Sequence, residues 1–216
     1  MISRIHLSTI LLIALSLWCI LLVINGVAVS ITWLRHLSII AGALLLLLAA
    51  FDKWLWRLQF LQGWFVKRPN ISGTWRTTIS PKCSKPSEGE GTYTIESYMA
   101  IRQTFSSLSL RLMTNESASE LLGADIIRSP DKVFRVAGIY RNEPKLSVRD
   151  RSQIHHGAVL LQVLGSPPSL LDGHYWTDRN TAGELRLTDH KKKVFHDFET
   201  ARRAFTAENS EISVES

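Results

Sequence analysis

The chain has 216 residues and a formal net charge of +6, with 25 Lys and Arg against 19 Asp and Glu. Residues 1–66 contain four of the cations and one of the acids, which leaves 21 and 18 for residues 67–216 and a net +3 there. That mild excess is not typical of a protein that coats DNA or RNA. The two cysteines, Cys19 and Cys83, lie in an apolar stretch and a polar loop, so they predict neither a disulfide nor a zinc site.

Two apolar stretches at the start of the chain predict a transmembrane hairpin. Asp, Glu, Lys and Arg are absent from residues 5–34 and again from 37–51. About 20 apolar residues cross a bilayer as a helix, so we expect spans at about 5–24 and 31–50. Asn25-Gly26 supplies the turn between them. A cleaved signal peptide followed by one span is the alternative, which a second apolar stretch disfavours.

The distribution of cations predicts the orientation of the hairpin. Lys53, Arg57, Lys67 and Arg68 follow the second stretch, whereas the connection between the stretches contains Arg35 alone. Positive residues are retained in the cytoplasm. We therefore expect both termini, and any domain that follows the hairpin, to be cytoplasmic.

Alternating, turn-rich sequence after the hairpin predicts one β domain. We place the hairpin at 1–56, an interfacial linker at 57–69, a β-barrel domain at 70–207 and a disordered acidic tail at 208–216. Apolar and polar residues alternate in about eight short segments separated by Gly, Pro, Asn, Asp and Ser. The segments lie at 71–79, 92–105, 107–114, 123–128, 132–141, 156–164, 171–179 and 182–188. This spacing predicts a membrane-anchored all-β fold, an antiparallel barrel of about eight strands, which can hold one small ligand.

The last part of the domain has a different periodicity. Val194, Phe198, Ala201 and Phe205 recur at helical spacing, which predicts a short amphipathic C-terminal helix within residues 191–205 that packs on the barrel. Before the fourth segment, residues 117–122 are interpreted as a short turn.

One predicted strand carries an aromatic ring, a hydroxyl and a guanidinium on one face. In an extended strand Tyr175, Thr177 and Arg179 point the same way. Tyr can stack on a base, Thr can donate to a phosphate and Arg can bind a phosphate through two N–H groups. Gln103 continues the apolar face of an earlier strand and is a further candidate for the barrel lumen. The alternative to a ligand site is that these residues face solvent or form a buried polar network that satisfies its own hydrogen bonds.

His155-His156 is the other pair of residues that could bind a metal or act in catalysis. Consecutive residues of a strand point to opposite faces, and no H-x-x-x-H or H-E-x-x-H motif is present, so no metal site is predicted. A G-x-S-x-G turn and paired-carboxylate or phosphate-loop signatures are also absent from the sequence. We therefore predict no catalytic residues and no cofactor. A membrane-tethered hydrolase that uses His155 or His156 is kept as an alternative.

With these residues in place the chain resembles a known family. The anchor is followed in order by Ile71–Trp75, Ile101–Gln103, Ile139–Pro144, His155–Leu160, Leu171–Arg179 and Gly183–Leu185. That order resembles the two-transmembrane β-barrel effectors of bacterial cyclic-oligonucleotide anti-phage signalling (CBASS). The resemblance implies a cytoplasmic barrel that binds a cyclic dinucleotide made by a partner nucleotidyltransferase. It also implies homo-oligomerisation in the inner membrane, disruption of the lipid bilayer and death of the infected cell, which is abortive infection.

The resemblance adds candidate ligand contacts and a role. It implies a receptor rather than an enzyme, with the dinucleotide as an activating ligand rather than a cofactor. The candidate contacts are Gln103, Tyr140, His156, Tyr175, Thr177 and Arg179. A membrane-anchored barrel that binds a lipid or another apolar metabolite is the alternative function, which an apolar lumen without an inward Arg179 favours.

Overall fold

The computed structural model of the chain describes residues 12, 15, 16, 18–20, 22–24, 31–82 and 93–212. Two compact units are present, Met1–Phe51 and Asp52–Ser216. Helix α1 spans Ile31–Lys53 and so covers the second predicted span. Most of the first predicted span, 5–24, and its turn at Asn25-Gly26 lie outside the described residues. Within the described residues, no helix combines the length and the apolar character needed to cross a membrane. The hairpin stays a prediction.

The second unit contains a closed antiparallel barrel of eight strands. Each strand pairs with the next one in the sequence, and β8 pairs with β1 to close the barrel. The strands are β1 Gly73–Pro81, β2 Ile95–Gln103, β3 Leu108–Met113, β4 Ser117–Arg128, β5 Phe134–Pro144, β6 His155–Leu164, β7 Leu170–Thr177 and β8 Ala182–Lys191. The predicted eight-stranded barrel is confirmed. Every strand has a neighbour on both sides, although β3 and β4 pair only between Arg111–Met113 and Ala118–Glu120.

Apolar side chains fill the half of the barrel that includes the β2–β3 turn. Fully buried interior residues come from six strands and lie toward this end of each strand. They are Trp75, Ile101, Val136, Leu161, Leu171 and Leu187. Each contributes about 1.5–3 kcal/mol of burial free energy. We call this the closed end of the barrel.

Helix α2, Phe198–Ile212, packs on the outside of the barrel. Its residues Ala201 and Phe205 join Tyr98 and Ala100 of β2 in a second apolar cluster, which is separate from the barrel interior. Since one face of β2 points into the barrel and the other meets α2, this strand is buried on both faces. The predicted packing of the C-terminal helix on the barrel is confirmed.

The bounds of that helix differ from the prediction. It begins at Phe198 rather than near Lys191, because β8 continues to Lys191 and the carboxylate of Asp197 caps the helix. The Thr200 N–H donates to Asp197 Oδ1 at 2.8 Å, and this bond lowers the pKa of Asp197. The helix continues to Ile212, within the predicted tail at 208–216. The last four residues of that tail lie outside the described residues.

Residues 117–122, interpreted as a turn, form the first half of β4. Ser119 and its neighbours pair with β5 along their length, and a bulge between Leu121 and Gly123 separates them from the second half of the strand. Small residues such as Ser and Ala have weak strand preference, so the pairing with β5 and not the local sequence decides the conformation.

Candidate ligand-binding cavity

A cavity of about 520 Å³ occupies the end of the barrel opposite the closed end. Its rim is formed by the β3–β4 turn at 114–116, the β5–β6 connection at 145–154 and the β7–β8 turn at 178–181. The wall combines apolar side chains such as Met99 and Leu185 with phenols, an amide and a guanidinium. A cavity of this volume and lining suits a small organic ligand. We call this the open end of the barrel.

Two tyrosines on the wall each lie against a glycine of the neighbouring strand. Tyr140 pairs in register with Gly157, and Tyr175 pairs with Gly183. A Cβ at Gly157 would lie 2.5 Å from Tyr140 Cζ, and a Cβ at Gly183 would lie 2.7 Å from Tyr175 Cε1. Glycine in a strand often marks such a close approach. The two glycines thus allow the phenol rings to lie along the wall instead of filling the cavity.

Both phenols remain protonated at neutral pH. Burial raises the pKa of Tyr140 to about 12, with smaller contributions from Tyr175 and from the carboxylate of Asp178. Burial also raises the pKa of Tyr175. Each ring therefore presents a hydroxyl that can donate a hydrogen bond, and neither ring adds a negative charge that would repel an anionic ligand.

The β7–β8 turn places Arg179 at the rim. The Thr177 hydroxyl oxygen accepts the N–H groups of Arg179 and Thr181, both at 3.3 Å, and lies 2.6 Å from Thr181 Oγ1. The guanidinium contacts the adjacent β5–β6 connection, where its Nη1 donates to the Gln153 carbonyl at 3.2 Å. A guanidinium carries five N–H donors, so donors remain for an anion at the rim. Thr177 orders the turn that positions this cation.

A polar pair in the wall was missed in the sequence. Ser119 Oγ donates to Asn142 Oδ1 at 2.9 Å, between two residues that pair in register across β4 and β5. The pair is largely buried and lines the cavity. Since the amide oxygen is occupied, the Asn142 NH₂ group is the half that can donate to a ligand. Its position two residues after Tyr140, on the same face, is the signal that could have revealed it. The predicted segment 132–141 ends one residue before Asn142, whereas β5 continues to Pro144.

Of the six candidate side chains, Tyr140, Tyr175, Thr177 and Arg179 line the cavity. Gln103 does not: it faces inward as predicted, but at the closed end. Its Oε1 accepts the Ile71 N–H at 2.9 Å and its Nε2 donates to the Pro69 carbonyl at 2.8 Å. These bonds satisfy the chain where it enters β1, so Gln103 has a structural role.

His156 does not line the cavity, and His155 does. On β6 the exposed His156 side chain points outward, and the backbone N–H of His156 donates to the Asp178 carboxylate at 3.0 Å. That bond lowers the pKa of Asp178. Apolar side chains occur on both faces of β6, so the sequence did not determine which of the two histidines faces inward. Among the side chains that the structure describes, no three His, Cys, Asp or Glu residues gather as a metal site.

Comparison with known proteins places this barrel in a family. The sequence model of the family described as "Cap15, cyclic dinucleotide receptor domain" matches residues 66–189, more than half of the chain. The chain belongs to this Cap15 family. The matched residues run from just before β1 into β8, so the family domain is the barrel itself.

Two Cap15 relatives carry the name "CD-NTase-associated protein 15". The relative from Staphylococcus schleiferi is 25% identical over 167 residues, which cover 77% of this chain and 86% of the relative. The relative from Yersinia aleksiciae is 31% identical over 144 residues, which cover 66% of this chain and 65% of that protein. The predicted membership of a CBASS effector family is confirmed.

Proposed function

We propose that this chain is a receptor and effector whose open-end cavity binds a cyclic dinucleotide. The observation that carries the proposal is the lining of the cavity. A barrel of the Cap15 family encloses about 520 Å³ beside two phenol rings, a polar amide and a guanidinium. A cyclic dinucleotide presents two bases that need flat surfaces and two phosphates that need cations or N–H donors. The cavity offers both kinds of group.

In this proposal each part of the ligand meets a group suited to it. Tyr140 and Tyr175 lie on strands that both neighbour β6, so two rings are available to two bases. Base–aromatic stacking is worth about 1–3 kcal/mol per base. Arg179 binds a phosphate at the rim, and Asn142 donates to a base edge or a sugar oxygen. His155 lines the same wall, where its imidazole ring can hydrogen-bond to the ligand.

The lining favours this function over the two alternatives. A lipid or other apolar metabolite offers no anion to Arg179 and no acceptor to the Asn142 NH₂ group, and leaving a buried donor without an acceptor is costly. Of the two histidines that the hydrolase alternative would use, His155 lines the cavity and His156 faces outward beside Asp178. Among the described residues, no group of three His, Cys, Asp or Glu forms a metal site beside either of them. We therefore propose a sensor role without catalysis.

We further propose that binding drives assembly of the membrane segments. The support is the sequence: two stretches without Asp, Glu, Lys or Arg precede the barrel, and the second includes the small residues Gly42 and Ala43. A ligand shifts a protein between two states only through its different affinity for them. Ligand made by a partner nucleotidyltransferase would favour the assembled state, in which the chains disrupt the inner membrane and the infected cell dies.

Calorimetric titration with a panel of cyclic dinucleotides tests the binding site. A charge-assisted hydrogen bond contributes about 1.5–3 kcal/mol, so Arg179→Ala should weaken binding roughly ten- to a hundredfold. Arg179→Lys should restore binding only in part, since an ammonium lacks the two-pronged geometry. Arg186→Ala is the matched control, because Arg186 lies on the outer face of β8, where its Nε is 4.0 Å from the exposed Asp172 carboxylate. If Arg179→Ala and wild type bound the highest-affinity dinucleotide equally well, Arg179 would not be a ligand contact.

Co-expression with a cyclic-dinucleotide synthase tests the effector role. Wild type should then arrest growth and make the inner membrane permeable to a dye, whereas Arg179→Ala should do neither while still fractionating with membranes. If wild type and Arg179→Ala made the membrane permeable to the same extent, toxicity would not depend on ligand binding by Arg179 in the cavity.

A further inference from the structure

The segment between α1 and the barrel exposes an unusual amount of apolar surface. Among residues 54–65, Trp54, Phe60 and Trp64 are 59%, 68% and 70% exposed. Two further large apolar residues of the segment are exposed as well. We call the five side chains the linker patch: Trp54, Leu58, Phe60, Trp64 and Phe65. Apolar residues clustered in this way on a folded protein mark a surface that binds a partner.

The linker patch is held in place by the barrel. Between its members, Trp56 is fully buried, with its ring 6.5 Å from that of Phe105 in the β2–β3 turn. The Arg57 guanidinium donates to the Gln103 carbonyl at 2.5 Å. Asp52 accepts the Ser106 N–H at 2.8 Å. These contacts attach residues 52–57 to the closed end, so the exposed rings are displayed by fixed backbone.

Within the segment itself, hydrogen bonds fix the fold of residues 56–66. Gln62 Nε2 donates to the Trp56 carbonyl and Trp64 Nε1 donates to the Phe60 carbonyl, both at 2.5 Å. Val66 is buried and ends the segment. Two short 3₁₀ helices, Leu55–Arg57 and Gln59–Leu61, give the rings their positions. The patch therefore has a defined shape.

The charges around the linker patch indicate the chemistry of its partner. Lys53 and Lys67 are exposed beside it, and Asp52 is the single acid in residues 52–70. Arg68 pairs instead with Asp125 at 3.2 Å. Aromatic rings with nearby Lys are the composition that binds the headgroup layer of a bilayer, and anionic lipid attracts these lysines. A protein partner with an acidic, apolar surface would match less closely, because indole and cation pairs suit the boundary between headgroups and acyl chains.

We infer that the linker patch docks on the surface of an anionic phospholipid bilayer and holds the barrel end-on. The closed end then faces the lipid and the open end faces the water. A dinucleotide can therefore reach the cavity without passing the membrane. This inference rests on the membrane anchoring proposed above and adds a second, peripheral contact that fixes the direction of the barrel.

The test uses the full chain in vesicles of phosphatidylethanolamine and phosphatidylglycerol that contain a nitroxide-headgroup lipid. In a background of Cys19→Ser and Cys83→Ser, a fluorophore is placed either at Ser166→Cys or at Leu146→Cys. Ser166 lies in the exposed β6–β7 turn of the closed end, and Leu146 is exposed at the open end. We expect the Ser166 label to be quenched several-fold more than the Leu146 label. Replacing Phe60, Trp64 and Phe65 by Ser should remove that difference, although the chain stays with the vesicles.

The outcomes separate this inference from the anchoring proposal. Equal quenching at both positions in vesicle-bound wild type would overturn end-on docking and leave the anchor intact. A difference that persists in the triple Ser variant would also overturn it, since the chain connection alone would then set the direction. Unequal quenching of a chain that alkaline carbonate removes from the vesicles would support the patch and contradict the spanning hairpin. A chain that does not float with vesicles at all would overturn both.

Discussion

Replacing Gly157 by alanine tests whether this glycine sets the position of the Tyr140 ring in the cavity wall. The new Cβ would lie 2.5 Å from both Cζ and Oη of Tyr140, and 2.7 Å from the carbonyl oxygen of Trp176. Carbon atoms make favourable contact near about 3.5 Å, so the new Cβ and the Tyr140 ring must move apart by about 1 Å. The Trp176 oxygen belongs to paired backbone and cannot move as readily as a side chain. We therefore expect the phenol ring to be pushed into the cavity.

This displacement should lower both stability and affinity. Inserting one carbon into a well-packed interior costs about 1–3 kcal/mol, which urea denaturation measures as a lower midpoint with an unchanged slope. The displaced ring also loses its stacking surface, worth about 1–3 kcal/mol per base. Calorimetry with the best dinucleotide should therefore show a roughly five- to hundredfold weaker affinity for Gly157→Ala.

Two further variants make the result specific to the contact. Gly123→Ala is the matched control, because no atom lies within 4 Å of a Cβ on this β4 glycine. It should leave affinity unchanged. In the double variant Gly157→Ala/Tyr140→Ala the clash with the ring is gone, so the stability losses should be less than additive. Additive losses, or a Gly157→Ala protein that behaves like Gly123→Ala, would refute the reasoning.

Three other predictions concern the closed end of the barrel, the cap of helix α2 and the membrane topology. Gln103→Ala leaves the Ile71 N–H and the Pro69 carbonyl at the closed end without this partner. The free energy of unfolding, measured by urea denaturation, should fall by about 1–3 kcal/mol for each group, while dinucleotide affinity stays unchanged. Weaker binding at unchanged stability would contradict the structural role of Gln103. Asp197→Ala removes the cap of α2 and should lower the urea midpoint. Because the Thr200 N–H lowers the pKa of Asp197, that contribution is present at neutral pH and disappears as the pH falls through the lowered pKa, so wild type and variant should converge in acid. A phosphatase that works only in the periplasm should be inactive when fused after Ser216, whereas a cytoplasmic reporter should work; the reverse would exclude the proposed topology.

The strands were predictable because alternation is a local property. Leu108, Leu110 and Leu112 sit on one face of β3, and Phe134, Val136 and Tyr140 on one face of β5, as their spacing indicates. Closure into a barrel followed from the number of strands and the lack of a long helix among them. The glycine beside each cavity tyrosine was not predictable, since it depends on cross-strand register.

The wrong predictions for His156 and Gln103 also depend on non-local features of the barrel. The direction of His155 and His156 depends on the register in which β6 pairs with its neighbours, and a register shift of one residue reverses every side chain of a strand. Gln103 was correctly assigned to the interior face, but sequence gives no depth along the barrel axis. The depth separates a residue of the closed end from one in the cavity. Asp197 does carry a local signal, an acidic residue just before a helical pattern, and attention to it would have placed the start of α2.

The most direct test of the central claim is a nuclear magnetic resonance measurement on the chain with its dinucleotide bound. Magnetisation transfer from ring-labelled tyrosine to the base protons of the ligand reports which rings lie within contact distance. The chain contains four tyrosines, and Tyr98 is an internal control because it is buried outside the barrel beneath α2. We expect transfer from Tyr140 and Tyr175 and none from Tyr98. Binding without transfer from Tyr140 and Tyr175 would place the ligand elsewhere and contradict the account.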